Sequence, residues 1–432
     1  MVGMIVRRPV PSTGSFRFVR RDDTGSSDGS STPGTSRALR ATAEPPLAAA
    51  SALGPTGTAA DPTPFWPGQE VTVGDTTLHL RETPGPADET AVYVHGLGGS
   101  ANNWTELAGA LSGRCRGLAV DLPGFGRTPP PASGDYRPAA HAATLTRYLD
   151  DLRRRGGGPV HLLGNSLGGA VALLVAANRP DLVRTLTLVS PAMPDLRPLP
   201  SRVGGKRAAL ALLPMLGTNA RAEQDARTPR ERLARTMALC HAEPERVGSR
   251  AFAMAAEEAE ERAGLAWAPE ALNRSFLGLL GTWLTPSRRS LWAAAARVTA
   301  PSLVVWGEAD RLVGVYRAAQ TAAALPAGRL MRLPGVGHVA QIERPQTVAR
   351  AVLGLLDAAD DGSWPGAGGP DGPDTADTAD IADIADRADT AEAGGERERV
   401  TARSRVDAVV RRWRERLPLG VARSGACGTV PV

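Results

Sequence analysis

The chain has 432 residues, 42% hydrophobic and only 4% aromatic, which suffices for a sizeable core and exceeds one ordinary catalytic domain. Its 50 basic and 45 acidic side chains leave a net charge of +5, too small at this length to argue for a nucleic-acid partner. Three widely spaced cysteines, Cys115, Cys240 and Cys427, give no disulfide framework or metal spacing, and no run of 18 apolar residues offers a transmembrane helix.

Residues 1–64 are rich in Ser, Thr, Gly, Pro and Arg and poor in large apolar side chains. Such a stretch cannot offset its ordering entropy, so a disordered arm is expected. The apolar piece at its start is too short for a signal peptide and precedes its charges, so a cytoplasmic protein with reduced thiols is expected. Phe65 and Trp66 are the first core anchors. Val71–Val73 and Thr77–Leu80 flank Gly74-Asp75, a hairpin signal. Ala91–Val94, Gly117–Val120, Val160–Leu163 and Thr185–Val189 are unbroken apolar runs, the pattern of buried parallel strands. Helical stretches near Trp104–Leu111, Ala139–Arg154 and Leu167–Asn178 alternate with them, which predicts a mostly parallel, doubly wound α/β sheet. Cys115, between Arg114 and Arg116, reads as a partly exposed structural cysteine.

The alternation stops across 194–298, an Ala-, Leu- and Arg-rich helical insertion with Trp267, Phe276, Trp283 and Trp292. The sheet resumes at Ser302–Trp306 and Arg329–Leu333, and Pro345–Leu356 is the closing helix, so the core comprises 65–193 and 299–357. Residues 358–398 read as an acidic disordered linker, with Asp-bearing triplets running to Asp389. The tail, 399–432, is basic. Its Val406, Val409, Val410, Trp413 and Leu417 share one helical face. Three readings of that helix stand: contact with an anionic membrane, folding back on the acidic linker, or an unstructured end.

Three motifs carry chemistry. Gly164-Asn165-Ser166-Leu167-Gly168 joins a strand to a helix as G-x-S-x-G, the tight turn that lifts a serine hydroxyl above a sheet. Asp310 follows the strand Ser302–Trp306, and His338 follows Arg329–Leu333, so the order is Ser, Asp, His. His95-Gly96-Leu97-Gly98-Gly99 follows the strand Ala91–Val94, and so glycine-rich a loop can turn a backbone N–H toward a reacting carbonyl. A serine needs a base to become a nucleophile, and a base needs an acid to fix its tautomer. Ser166 could otherwise be a turn serine, and Asp310 a helix cap for the stretch after Gly314. No two histidines or acids show metal-ligand spacing, so no metal is expected.

With the turn Asp121-Leu122-Pro123-Gly124-Phe125-Gly126-Arg127-Thr128, which has Thr128 where D-x-P-G-x-G-x-S has serine, these motifs make the segment resemble the α/β-hydrolase fold superfamily. The resemblance implies a helical cap at 194–298 and Ser166, Asp310 and His338 as catalytic residues. It implies an oxyanion hole from the N–H groups of Leu97 and Leu167. His95, Gly96, Gly164 and Gly168 would support these motifs, and Asp195 is the alternative acid. No cofactor is implied.

Serine rather than aspartate at position 166 separates the chain from the dehalogenases and epoxide hydrolases of this fold. Gly337-His338-Val339-Ala340-Gln341 is similar to carbon–carbon bond hydrolases of ring-cleavage pathways, but those carry Trp where Val339 stands. The first expectation is a serine esterase, carboxylesterase- or lipase-like, acting on a small hydrophobic ester through an acyl-enzyme. Carbon–carbon cleavage, acyl transfer and cofactor-free haloperoxidase activity on the same residues are the alternatives.

Overall fold

The computed structural model describes residues 44–58, 61–195 and 227–365. The expected basic helix, nearly all of the acidic linker and the start of the amino arm lie outside the described residues. Eight strands form one sheet: β1 (Gly68–Val73), β2 (Thr76–Thr83), β3 (Thr90–Val94), β4 (Arg116–Val120), β5 (Val160–Asn165), β6 (Val183–Val189), β7 (Ser302–Gly307) and β8 (Gly328–Leu333). Their order is β1-β2-β4-β3-β5-β6-β7-β8. The hairpin β1–β2 turns on Gly74 at φ +63°, a left-handed conformation that favours glycine. β2 pairs antiparallel with β4, and every later pairing is parallel.

Among the described residues the α-helices are α1 (Thr105–Leu111), α2 (Pro138–Arg154), α3 (Leu167–Asn178), α4 (Pro229–Cys240), α5 (Ser249–Ala263), α6 (Ala268–Gly281), α7 (Leu291–Ala295), α8 (Arg317–Ala324), α9 (Ala340–Glu343) and α10 (Pro345–Asp360). Side chains alternate across each strand, so a sheet buried on both faces feeds two cores. Leu162 and Val304 enter the core with α2, α3, α7 and α8, whereas their neighbours Leu163 and Val305 enter the core with α1 and α10. This is the doubly wound arrangement expected of the apolar runs.

The described part of the insertion is helical. α4 starts at a capping box in which Thr228 Oγ1 accepts from the Glu231 N–H at 3.2 Å and Glu231 Oε2 accepts from the Thr228 N–H at 3.1 Å. α4 and α5 pack on each other through Ala234, Phe252 and Ala256, a small core of their own. The insertion ends earlier than the expected residue 298. Leu291, Ala295 and Val298 are buried in the main core, so α7 belongs to the sheet layer.

Both outer boundaries also differ from expectation. Among the described residues packing begins at Pro45, not at Phe65. Ala48 exchanges hydrogen bonds with Arg350: its N–H donates to the Arg350 carbonyl at 3.0 Å, and its carbonyl accepts from Arg350 Nε at 2.7 Å. The Glu106 carboxylate accepts from the N–H groups of Gly57 (2.7 Å) and Thr63 (2.8 Å) and from the Thr63 hydroxyl. A polar strap needs few apolar residues when a carboxylate gathers its N–H groups. At the other end α10 runs to Asp360, and Trp364 is buried with its Nε1–H donating to the Ala327 carbonyl at 2.8 Å. A protein starting at Phe65 should therefore melt about 5 °C or more below one starting at Glu44, since several charge-assisted hydrogen bonds are lost. Equal melting temperatures by calorimetry would show that the strap adds nothing. Cys115 is fully buried rather than partly exposed, and burial pushes its thiol up to about 12 against the pull of Arg114.

Candidate active site

Ser166 sits between β5 and α3 at φ 54°, ψ −115°. Among the described residues only Ser166 and Ser190 are non-glycines at positive φ. Such a conformation costs on the order of 1–3 kcal/mol and persists where the surroundings over-determine it. Here the Ser166 N–H donates to the Val189 carbonyl at 3.0 Å, and the Ser166 carbonyl accepts from the Ala192 N–H at 3.0 Å. The flanking glycines are required by close approach. A Cβ on Gly168 would lie 2.2 Å from the Val94 carbonyl oxygen, and one on Gly164 would lie 2.3 Å from the Gly168 oxygen. The turn is thereby seated against the end of β3.

His338 and Asp310 meet directly, with His338 Nδ1 donating to Asp310 Oδ2 at 2.8 Å. Both side chains are buried. A carboxylate on Nδ1 fixes the proton there and leaves Nε2 able to take one. The other oxygen, Oδ1, accepts from the N–H groups of Leu312 (2.8 Å) and Val313 (3.0 Å), so it closes its own loop. Asp310 caps no helix: α8 begins only at Arg317, with Tyr316 in the cap position. Asn165 Nδ2 donates to the Val189 carbonyl at 3.0 Å and to the His338 carbonyl at 3.2 Å, which ties the Ser166 turn to the histidine loop. The motif reading passed over Asn165, because G-x-S-x-G leaves that position free.

Asp195, the alternative acid, is engaged elsewhere. Its carboxylate accepts from Arg317 Nη2 at 2.9 Å and from the Tyr316 hydroxyl. The structure places Asp310, and not Asp195, on the His338 ring.

The loop after β3 is held from below. His95 is fully buried, donates from Nδ1 to the Gly96 carbonyl at 2.8 Å and accepts at Nε2 from the Leu122 N–H at 3.0 Å. Burial holds its pKa below the ordinary histidine value, so it stays a neutral strut. The Gly99 N–H also donates to the Gly96 carbonyl, at 3.0 Å. In a planar trans peptide the N–H points opposite the carbonyl, so two bonds on the Gly96 oxygen set the direction of the Leu97 N–H. Gly96 lies against the serine turn: a Cβ there would be 2.9 Å from Asn165 Oδ1 and 3.2 Å from Ser166 Cβ. Leu167 opens α3, and first-turn N–H groups have no partner within their helix.

The Asp121 turn braces this loop. Asp121 Oδ1 accepts from the Ala101 N–H at 2.7 Å, and Oδ2 accepts from the Arg127 N–H at 2.9 Å and His79 Nδ1 at 2.7 Å. Burial alone would raise the Asp121 pKa, but these hydrogen bonds with His79 and the backbone hold it below the usual carboxylate range. Thr128 Oγ1 accepts from the His79 N–H at 2.9 Å, so threonine supplies the hydroxyl expected of serine.

The insertion rests on these loops. The His338 N–H donates to the Cys240 carbonyl at 2.7 Å, at the end of α4. Arg311 Nη1 donates to the Ala238 carbonyl at 2.8 Å. Glu343 accepts from the Gly337 N–H at 2.7 Å and from the Ala242 N–H at 2.9 Å. Burial raises the Glu343 pKa, partly offset by those N–H groups. None of these partners is visible in a local pattern. Trp267 opens instead on a cavity of about 320 Å³ shared with Phe65, His79, Arg81 and Glu258; Ser166 is not among its lining residues.

A family model described as alpha/beta hydrolase fold matches residues 92–345. The chain is 29% identical over 290 residues to the dihydrolipoyllysine-residue acetyltransferase component of the acetoin cleaving system of Pseudomonas putida, covering 67% of this chain and 69% of that one. It is 26% identical to Lipase 3 of Moraxella sp. (strain TA144), covering 66% and 82%. Among solved structures, 2-hydroxy-6-oxo-6-phenylhexa-2,4-dienoate hydrolase from Rhodococcus sp. strain RHA1 superposes with a TM-score of 0.54 at 21% identity, covering 68% and 99%.

Proposed function

Because the chain belongs to the alpha/beta hydrolase fold family, we propose that it is a serine hydrolase that cleaves a small hydrophobic carboxylic ester through an acyl-enzyme on Ser166. Hydrolase chemistry follows from the family and its lipase relatives; the ester and the residue roles are the finer reading. The observation that carries it is the Asp310–His338 hydrogen bond tied through Asn165 to a serine in a strained turn.

In this reading His338 Nε2 takes the Ser166 proton as Oγ attacks the ester carbonyl. The carbonyl oxygen gains charge and accepts from the N–H groups of Leu97 and Leu167. His338 returns the proton to the departing alcohol, and Asp310 stabilises the imidazolium meanwhile. Water then enters and attacks the acyl carbon as His338 takes its proton; the bond to Oγ breaks, His338 returns the proton to Ser166, and the acid leaves. The amino end of α3 points its dipole at the developing oxyanion.

An ester is preferred to a carbon–carbon bond because Val339 stands where ring-cleavage enzymes carry Trp. The purified protein should hydrolyse p-nitrophenyl esters of graded chain length, with turnover falling once the acyl chain outgrows its pocket. Product analysis with added alcohols separates hydrolysis from acyl transfer. No ester turnover, with cleavage of a vinylogous diketone instead, would replace the ester reading by carbon–carbon hydrolysis. No helix among the described residues is long and apolar enough to cross a membrane.

A further inference from the structure

Arg262 stands in the last turn of α5, in the insertion, yet its hydrogen bonds go to the loop after β3. Its Nη1 donates to the Gly98 carbonyl at 2.7 Å and reaches the Gly99 carbonyl at 3.4 Å. Its guanidinium lies over the Phe125 ring, 5.2 Å from the centroid. Phe125 in turn meets the edge of His95 at 5.5 Å. Gly98 has φ +79°, so the carbonyls on this stretch take directions that a residue with a side chain rarely supports. Leu272 of α6 covers the same glycine, its Cδ1 within 3.5 Å of where a Cβ would stand.

The loop is thus held at two places by two different layers. His95, from the sheet layer, fixes the Gly96 carbonyl and with it the direction of the Leu97 N–H. The carbonyls of the next two residues are fixed from the insertion. Without the second hold, the Gly98–Gly99 peptides can rotate, because glycine restricts them little. Rotation there pulls on the Gly99 N–H, which is one of the two donors on the Gly96 oxygen.

We propose that Arg262 is a positioning residue: a clamp on the insertion that sets the oxyanion-donating loop, so that seating the insertion and aligning the Leu97 N–H are one event. This rests on the serine hydrolase reading for its catalytic consequence. The guanidinium suits the task because Nη1 alone carries two N–H donors for the neighbouring carbonyls while the plane of the group stacks on an aromatic ring. Burial lowers its pKa, against the raising effect of Glu258 and Asp121.

The test uses the full chain, R262Q and R262K, with two readouts. Amide hydrogen exchange at Gly99, whose N–H is bonded to the Gly96 carbonyl, should quicken at least about tenfold in R262Q while α5 stays protected. On a p-nitrophenyl ester its kcat should fall on the order of 10- to 100-fold, with KM within about threefold, as expected when donor geometry and not substrate contact is lost. Affinity for a trifluoromethyl ketone should fall by the same factor as kcat/KM. R262K keeps the charge and N–H donors but not the planar group over Phe125, so it should recover most of the loss. If R262Q does not fold, R262K carries the test through a kcat loss of about threefold or more. Unchanged loop exchange overturns the clamp, and faster exchange with kcat within twofold overturns the positioning role. A wild-type protein that turns over no ester removes the hydrolase reading alone, because the exchange readout still decides whether Arg262 holds the loop.

Discussion

Ser166→Ala is expected to abolish labelling by a fluorophosphonate probe and to lower kcat on the order of 10⁶-fold, with melting temperature held or raised. The hydroxyl is the proposed point of bond formation, and no neighbour replaces it. Alanine in a left-handed turn carries the same strain as serine, and the turn is over-determined by the Val189 and Ala192 hydrogen bonds, so the fold should persist. Labelling and turnover are read on one preparation. An alanine variant that still labels fully would move the nucleophile elsewhere and end the assignment.

Asp310→Asn is expected to lower kcat by about 10⁴-fold, while Asp195→Asn stays within a few-fold of wild type. The amide at 310 can keep Oδ1 on the Leu312 and Val313 N–H groups, and so preserve the loop. Its nitrogen would then face His338 Nδ1, force the proton to Nε2 and remove the base. Asparagine at 195 weakens the pairing with Arg317 and Tyr316, so its effect should appear in melting temperature. Steady-state kinetics with a thermal melt on both variants decides between them. Near-normal turnover in Asp310→Asn with a dead Asp195→Asn would exchange their roles.

Much of this was legible in the chain because the signals are local. Apolar runs such as Val160–Leu163 and Ser302–Trp306 mark strands buried on both faces, and the observed β5 and β7 differ from them only at their ends. Ser166 and Asp310 follow such strands and His338 follows the shorter-patterned Arg329–Leu333, so the motifs and their chain order located the loops. What escaped was held by contacts distant in sequence. The strap before Phe65 has little apolar content and depends on Glu106, some forty positions away. Arg262, Arg311 and Glu343 carry no local signal, since nothing nearby in sequence says that their partners are backbone carbonyls and N–H groups of other loops. Cys115 reads as partly exposed because two arginines flank it, and only the packing shows that it is buried.

The junction at the end of α4 bears on how such enzymes can be recombined. A chimaera is naturally cut where the insertion leaves and rejoins the sheet layer, near residues 194 and 290. Those cuts would separate the carbonyls of Ala238 and Cys240 from Arg311 and the His338 N–H, and the Ala242 N–H from Glu343. A foreign insertion would then meet a guanidinium and a carboxylate shaped for another helix end. Donor segments should therefore be exchanged together with positions 311 and 343, as one three-part module discontinuous in the gene.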